Sequence, residues 1–143
     1  MRRVESELRV RYSESDQMGI VYYANYLVWM EVGRVDYCRE LGFEYRDMEA
    51  EDGCFLAVTR ALCEYRAPAR FNDQIRVMTW VSESRSRTIT FSYEIRLTGD
   101  DRLAGDDRLL ATGQTVHMVC DRAGKTIRLP EKYRRYFPLT SSG

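Results

Sequence analysis

The fold is decided by residues 22–41, YYANYLVWMEVGRVDYCREL, which carry a helical pattern of apolar side chains. Positions three or four apart form one stripe, and Gly42 follows it as the expected C-terminal stop. The first half of the segment, residues 26–30, is apolar on every face, which is typical of a helix enclosed by other elements. We therefore predict one long buried helix. Its stripe consists of Tyr26, Met30, Gly33 or Arg34, Tyr37 and Leu41.

Strand patterns flank this helix on both sides. Before it, residues 8–12 alternate between apolar and arginine side chains, the period of two that a half-buried strand shows. After it and a charged loop at 44–53, four segments rich in β-branched and aromatic residues have strand length. They are residues 55–66, 74–84, 87–97 and 109–120, and the third alternates so regularly that we expect one buried and one wet face. This order predicts an α+β fold, in which an antiparallel sheet of about five strands wraps around the helix.

Length and composition indicate a single domain. The chain has 143 residues, 44% of them hydrophobic and 31% charged, which suits a globular protein with a real core. We expect one domain over residues 1–143, with a core at about 7–121 and a tail at 122–143. Lys and Arg balance Asp and Glu at 22 each, so no global charge favours nucleic acid. The charged N-terminus has no apolar stretch behind it, which favours a cytoplasmic location and no membrane insertion.

The sequence does not predict a zinc site, a redox site, a serine-hydrolase site or a calcium site. The four cysteines are too widely spaced for a zinc or redox motif and are expected to be free thiols, so no metal is predicted. One histidine, His117, lies in the last strand, and no Gly-x-Ser-x-Gly elbow exists for a serine hydrolase. Arg134 and Arg135 are interpreted as a solvated tail. The aspartates of the 98–108 hairpin loop lack calcium-loop spacing; they are Asp100, Asp101, Asp106 and Asp107.

The densest group of reactive side chains lies between the first strand and the helix, in residues 12–26, YSESDQMGIVYYANY. The run Asp16-x-x-Gly19-x-Val21-x-x-Ala24-x-Tyr26 resembles the active-site signature of hotdog-fold acyl-CoA thioesterases. The likeness is to the branch of the 4-hydroxybenzoyl-CoA and Tol-Pal-associated thioesterases. Counting Tyr12 and Asn25, seven spaced identities fall within fifteen residues, and the order of strand, helix and four strands agrees over about residues 7–121.

This resemblance implies a role for Asp16. In the family, the corresponding aspartate acts on the thioester carbonyl, either as a nucleophile or as a base for water. The start of the helix offers backbone N–H groups for the developing oxyanion, and the amide of Tyr23 is the candidate by position. Some short-chain members have histidine where Tyr23 stands, whereas aryl-CoA members have an aromatic residue, which favours a larger or aromatic acyl group. No cofactor is implied, because CoA is part of the substrate.

Other residues near the helix start are candidates for binding. Tyr22 and Tyr26 could line an acyl pocket, although aromatic residues at helical spacing are more often core. Asn25 could hydrogen-bond Asp16 or the substrate, and Glu31 could reach the pocket or pair with an arginine one turn later. Basic side chains should meet the CoA phosphates, but the sequence does not rank them. Hotdog subunits pair through their sheets, so the resemblance also implies a homo-oligomer, a dimer or a tetramer.

Two alternatives stay open beside the thioesterase. An aspartate before a helix is ordinarily a cap or a turn former, and the fold alone does not fix a function, so a non-catalytic module that binds acyl-CoA or acyl carrier protein is the second hypothesis. A dehydratase or hydratase of the same fold is the third, but the motif that those proteins resemble carries a histidine at the helix. This segment has none.

Overall fold

The computed structural model describes residues 2–99 and 107–140, and it has the expected sheet and central helix. The strands are β1 (Arg3–Arg9), β2 (Phe55–Tyr65), β3 (Gln74–Ser84), β4 (Thr88–Thr98) and β5 (Arg108–Cys120). The helices are α1 (Asn25–Leu41), α2 (Tyr45–Asp52) and the short α3 (Glu131–Arg134), and a 3₁₀ turn covers Tyr12–Glu14. Prediction and structure agree on the class of the fold and on the order of its main elements.

The five strands form one antiparallel sheet in the order β1-β3-β4-β5-β2. The central strand β4 has its alternating apolar residues fully buried, from Ile89 to Leu97, as the sequence pattern predicts. Its opposite face is drier than predicted, because Thr90 and Ser92 are only 8% exposed; the Ser92 hydroxyl bonds that of Ser82 on β3. The strands β1 and β2 are the two edges, and the helix start that carries the signature lies near the C-terminal end of β2.

Helix α1 packs one face on the sheet. Trp29, Met30 and Tyr37 are buried there, and Gly33 permits a close approach, since a Cβ at this position would overlap Thr79 Oγ1 of β3. Gly42 ends the helix in a left-handed conformation with φ 115°, which confirms the predicted stop. The expectation that residues 26–30 are enclosed on every face is wrong for the single chain. The outward side chains of Leu27 and Val28 are 39% and 44% exposed, because none of the described residues forms a second layer over this face.

Three segments differ from the sequence predictions. The first strand begins and ends earlier than expected, at Arg3–Arg9, and the chain then bends so that Val10 is buried by a loop contact. The expected loop at 44–53 contains α2, whose buried Met48 anchors it although its other residues are mostly charged. The tail is not a solvated extension, because Leu129, Tyr133 and Phe137 are 2–3% exposed and close the core beyond β5.

Some predicted features concern sites rather than elements. The four cysteines are free, as expected, and three of them are buried. None of the helices in the described part of the chain is long and apolar enough to cross a membrane. Residues 2–99 and 107–140 contain no cluster of His, Cys, Asp and Glu that could hold a metal ion. Most of the predicted loop at 98–108 lies outside the described residues, and Asp107, which is described, pairs with Arg76 at 2.7 Å.

Candidate active site

The signature segment folds into a tight turn before α1. Ser15 and Val21 pair as an isolated antiparallel bridge, and the amide of Asp16 donates to the Ile20 carbonyl at 2.8 Å. Gly19 closes the turn with φ 80°, a left-handed conformation that glycine adopts without strain, and its N–H donates to the Asp16 carbonyl at 3.0 Å. These bonds hold Asp16 in the turn that the Ser15–Val21 bridge closes.

The Asp16 carboxylate is half-buried and has one oxygen engaged. Its Oδ1 accepts a hydrogen bond from the Met18 amide at 2.8 Å, an Asx turn within the signature segment. The second oxygen accepts no hydrogen bond from the described residues. The carboxylate therefore combines a turn-forming oxygen with one that is available to an incoming group, which suits either attack on a carbonyl or proton abstraction from water.

The backbone N–H groups at the start of α1 differ in their hydrogen bonding. The amides of Val21 and Tyr22 donate to the carbonyls of Ala69 and Glu14, both at 2.8 Å, and Asn25 N–H donates to Tyr22 O at 3.0 Å. Between them, the amides of Tyr23 and Ala24 donate to no acceptor in the described part of the chain. Free N–H groups at a helix start carry partial positive charge and can stabilise an oxyanion.

A cavity of about 340 Å³ opens beside this helix start. Its aromatic wall consists of Tyr23, Tyr26 and Tyr65, and the rest of the lining comes from residues 20–21 and 66–68. The ring of Tyr26 is 3% exposed and packs against Trp29 at 4.8 Å between centroids. Burial raises the pKa of the Tyr26 phenol, so this side chain stays neutral at ordinary pH. The cavity adjoins the Asp16 turn, because the lining residue Ile20 bonds the Asp16 amide.

Glu14 anchors the segment, a role that the sequence did not reveal. The carboxylate is only 4% exposed; Oε1 accepts the Arg11 amide at 2.8 Å and Oε2 accepts the Trp29 indole N–H at 2.9 Å. The Arg11 guanidinium lies 3.5 Å from Oε2. The main-chain carbonyl of Glu14 accepts both Tyr22 N–H and the Asn25 side-chain amide. Glu14 thus joins both sides of the Asp16 turn to the first turns of α1.

The residues predicted near the helix start differ in where the structure places them. Tyr22 and Tyr23 lie at the helix start, 49% and 60% exposed, with ring centroids 4.7 Å apart. The Asn25 amide donates to the Glu14 carbonyl at 3.1 Å rather than to Asp16. Glu31 is exposed on α1 and does not line the cavity, and the expected pairing with Arg34 is not formed. Instead, the Arg34 guanidinium donates to the Tyr93 hydroxyl at 3.3 Å.

The single histidine lies in the core, away from this site. His117 is fully buried, its Nε2 lies 2.8 Å from Thr115 Oγ1, and its Nδ1 lies 3.3 Å from the Leu56 carbonyl oxygen. Burial, together with the positive charge of Arg34, lowers the pKa of His117 to about 4, against an opposing effect of the Leu56 bond. The side chain is therefore neutral near pH 7, and its contacts are structural.

A larger groove of about 520 Å³ lies elsewhere, between the end of α1, α2 and the tail. Its lining mixes acidic groups such as Glu44 and Asp47 with basic ones such as Arg39 and Lys132, and it includes none of residues 12–26. Because this groove includes no residue of the signature, the smaller aromatic cavity is the candidate site.

Comparisons with known proteins show which family the chain resembles. The sequence profile of the thioesterase-like superfamily matches residues 10–137. YneP of Bacillus subtilis, whose assignment as an acyl-CoA thioesterase is provisional, is 43% identical over 91 residues. That match covers 64% of this chain and 65% of YneP, so the chain spans slightly less than two thirds of this relative.

Two solved structures share the fold over nearly the whole chain. The DHNA-CoA thioesterase of Staphylococcus aureus is 34% identical with a TM-score of 0.80, over 95% of this chain and 84% of that one. The 4-hydroxybenzoyl-CoA thioesterase of Pseudomonas sp. strain CBS-3 is 20% identical with a TM-score of 0.83, over 94% of this chain and 99% of that one. At 20% identity, the second likeness concerns the fold alone.

Proposed function

The chain belongs to the thioesterase-like superfamily, and on this basis we propose that it is an enzyme that hydrolyses acyl-CoA thioesters to a carboxylic acid and free CoA. One observation carries the proposal. A carboxylate on Asp16, with one oxygen that accepts no bond from the described residues, lies on the same short segment beside a cavity as the Tyr23 and Ala24 amides, which have no acceptor among those residues. Thioester hydrolysis needs both a group that attacks or activates water and donors for the oxyanion.

The proposed reaction starts with the acyl group in the aromatic cavity. The thioester oxygen accepts the Tyr23 N–H, which stabilises the negative charge that develops on it. Asp16 either attacks the carbonyl carbon, so that CoA leaves as the thiolate and water then hydrolyses the mixed anhydride, or removes a proton from water that attacks directly. Both routes consume one water, give the same products and require no cofactor.

We propose an aromatic or otherwise bulky acyl group as the preferred substrate. The cavity presents the rings of Tyr23, Tyr26 and Tyr65, and flat acyl groups gain from edge and face contacts with such rings. The thioesterase of S. aureus is named for a DHNA-CoA substrate. Among the basic residues that could meet the CoA phosphates, Arg66 lines the cavity and is exposed, so it is our candidate for that contact.

We also propose that two copies pair through the β2 edge. Along this edge strand, Val58 and Leu62 are 51% and 41% exposed, and α1 adds the exposed side chains of Leu27, Val28 and Val32. An edge strand with free backbone groups and apolar neighbours is a site for antiparallel pairing with a second copy. Such a dimer, alone or doubled into a tetramer, would cover the open face of α1. A cytoplasmic location remains part of the proposal.

A non-catalytic module that binds acyl-CoA is the second candidate, favoured by the use of Asp16 Oδ1 in an Asx turn. The experiment follows thiol release from short, medium, long and aromatic acyl-CoAs, alongside calorimetric binding of CoA. Turnover of at least one ester, fastest for aromatic ones, supports the enzyme and its proposed preference. Binding without release from any ester in the panel contradicts the enzyme and supports the module.

A further inference from the structure

Tyr65, the last residue of β2, touches the helix start although it is 42 residues away from it in sequence. Its hydroxyl donates to the Tyr23 carbonyl at 3.0 Å. We propose that Tyr65 is a positioning residue, which orients the peptide group between Tyr23 and Ala24 so that the Ala24 N–H serves as a second oxyanion donor beside the Tyr23 N–H. This inference rests on the proposed thioesterase function.

The argument begins with the geometry of the peptide group. The Tyr23 carbonyl and the Ala24 N–H belong to one planar trans unit and point in opposite directions, so a bond that fixes the carbonyl also fixes the N–H. The carbonyl receives the Tyr26 amide at 3.3 Å, a long bond, whereas the phenol of Tyr65 is closer. A hydrogen bond to the carbonyl also polarises the unit, which strengthens the N–H as a donor.

The ring of Tyr65 is held independently of its hydroxyl. It packs edge-on against Tyr26, with centroids 5.0 Å apart and an interplanar angle of 89°, and against Tyr23, at 6.4 Å and 90°. These contacts form the aromatic wall of the cavity. Removing only the oxygen should therefore leave the ring and the wall in place, which makes the role of the hydroxyl separable from packing.

The phenol stays a donor at any pH suited to thioester assays. Burial, with a smaller effect from the neighbouring Cys63 thiol, raises the pKa of Tyr65 far above its usual value. Deprotonation thus does not remove the bond to the Tyr23 carbonyl, and the effect of losing the hydroxyl should be independent of pH.

The variant that tests the proposal is Tyr65→Phe, with Tyr45→Phe as its matched control. Tyr45 also donates its hydroxyl to a backbone carbonyl, that of Leu56 at 3.2 Å, but it lies on α2 outside the cavity lining. We expect kcat of Tyr65→Phe to fall about tenfold with KM nearly constant, less than the roughly 100-fold or greater loss when a whole donor is removed. Tyr45→Phe should keep the wild-type kcat.

A second readout does not depend on turnover. In ¹⁵N-labelled protein, the Ala24 amide resonance should shift in Tyr65→Phe and stay in place in Tyr45→Phe. An unchanged kcat in Tyr65→Phe, or a rise in KM alone, overturns the positioning role even if the melting temperature falls. If the wild type releases no thiol, the proposed function fails, and the Ala24 resonance decides whether Tyr65 orients the peptide group; an unmoved resonance overturns that claim.

Discussion

Replacing the buried carboxylate of Glu14 by the Glu14→Ala substitution should lower the free energy of unfolding. The substitution removes two hydrogen bonds to a charged acceptor, from the Arg11 backbone N–H and from Trp29 Nε1, and leaves both donors without that acceptor. A hydrogen bond to a charged group contributes about 1.5–3 kcal/mol, and a buried donor without a partner costs about 1–3 kcal/mol. The backbone amide of the exposed Arg11 can bond water instead, whereas the indole of the 1% exposed Trp29 cannot, so we expect a loss of about 3 kcal/mol.

Urea unfolding followed by tryptophan fluorescence and circular dichroism measures this loss. The control is Glu40→Ala, because Glu40 forms an exposed ion pair with Arg2 at 3.9 Å, and such pairs contribute about 1 kcal/mol or less. A cycle with Trp29→Phe isolates the shared bond, and its coupling energy should be about 1–2 kcal/mol. The reasoning is refuted if Glu14→Ala costs no more than the control, or if the two substitutions are additive within about 0.5 kcal/mol.

Three further predictions concern packing, pH and assembly. Gly33→Ala should lose about 1–3 kcal/mol in urea unfolding, because the new methyl group would overlap Thr79; an equally stable variant contradicts this packing. His117, with its pKa lowered to about 4 in the fold and near 6.5 when unfolded, binds protons more readily in the unfolded chain between those values. Stability should therefore fall by up to about 3 kcal/mol as the pH drops from 6.5 to 4, and His117→Gln should flatten this slope in urea titrations; an unchanged slope contradicts it. Leu62→Arg places a charge on the exposed β2 edge and should shift the sedimentation coefficient from dimer to monomer, whereas an unchanged value places the interface elsewhere.

The fold could be predicted from sequence because its strongest signals are periodic. The predicted bounds of β3 agree with the observed Gln74–Ser84, and the buried alternation of β4 and the glycine stop at Gly42 are confirmed. The match of the superfamily profile to residues 10–137 likewise confirms the resemblance drawn from the signature. These features depend on local pattern, and local pattern is what one sequence displays directly.

The segments that prediction missed depend on tertiary contacts. The helix over Tyr45–Asp52 has few apolar residues, and burial of Met48 stabilises it. The charged sequence of this segment does not predict that contact. Because the neutral chain has no other basic face, the sequence favours a solvated tail at Arg134 and Arg135, whereas the buried Tyr133 and Phe137 on either side of them fix its position.

The same division applies to the candidate site. Asp16, Tyr23 and the helix start are contiguous, so a local motif could identify them together. Tyr65 joins the site only through the sheet, and the role of Glu14 depends on its contact with Trp29, 15 residues later in the chain. A signal for Glu14 did exist, because the indole N–H of a tryptophan inside a buried helix needs an acceptor, and Glu14 is the acid that precedes the turn.

The most direct test of the central claim compares Asp16→Asn with Asp121→Asn in kcat/KM for the best acyl-CoA of the panel. Each aspartate accepts backbone amides through Oδ1, Asp16 from Met18 and Asp121 from Ala123 and Lys125, and asparagine keeps that acceptor. Only Asp16 adjoins the cavity, so its substitution should lower kcat/KM by about 100- to 10,000-fold while Asp121→Asn stays near wild type. Equal activity in the two variants would contradict catalysis by Asp16.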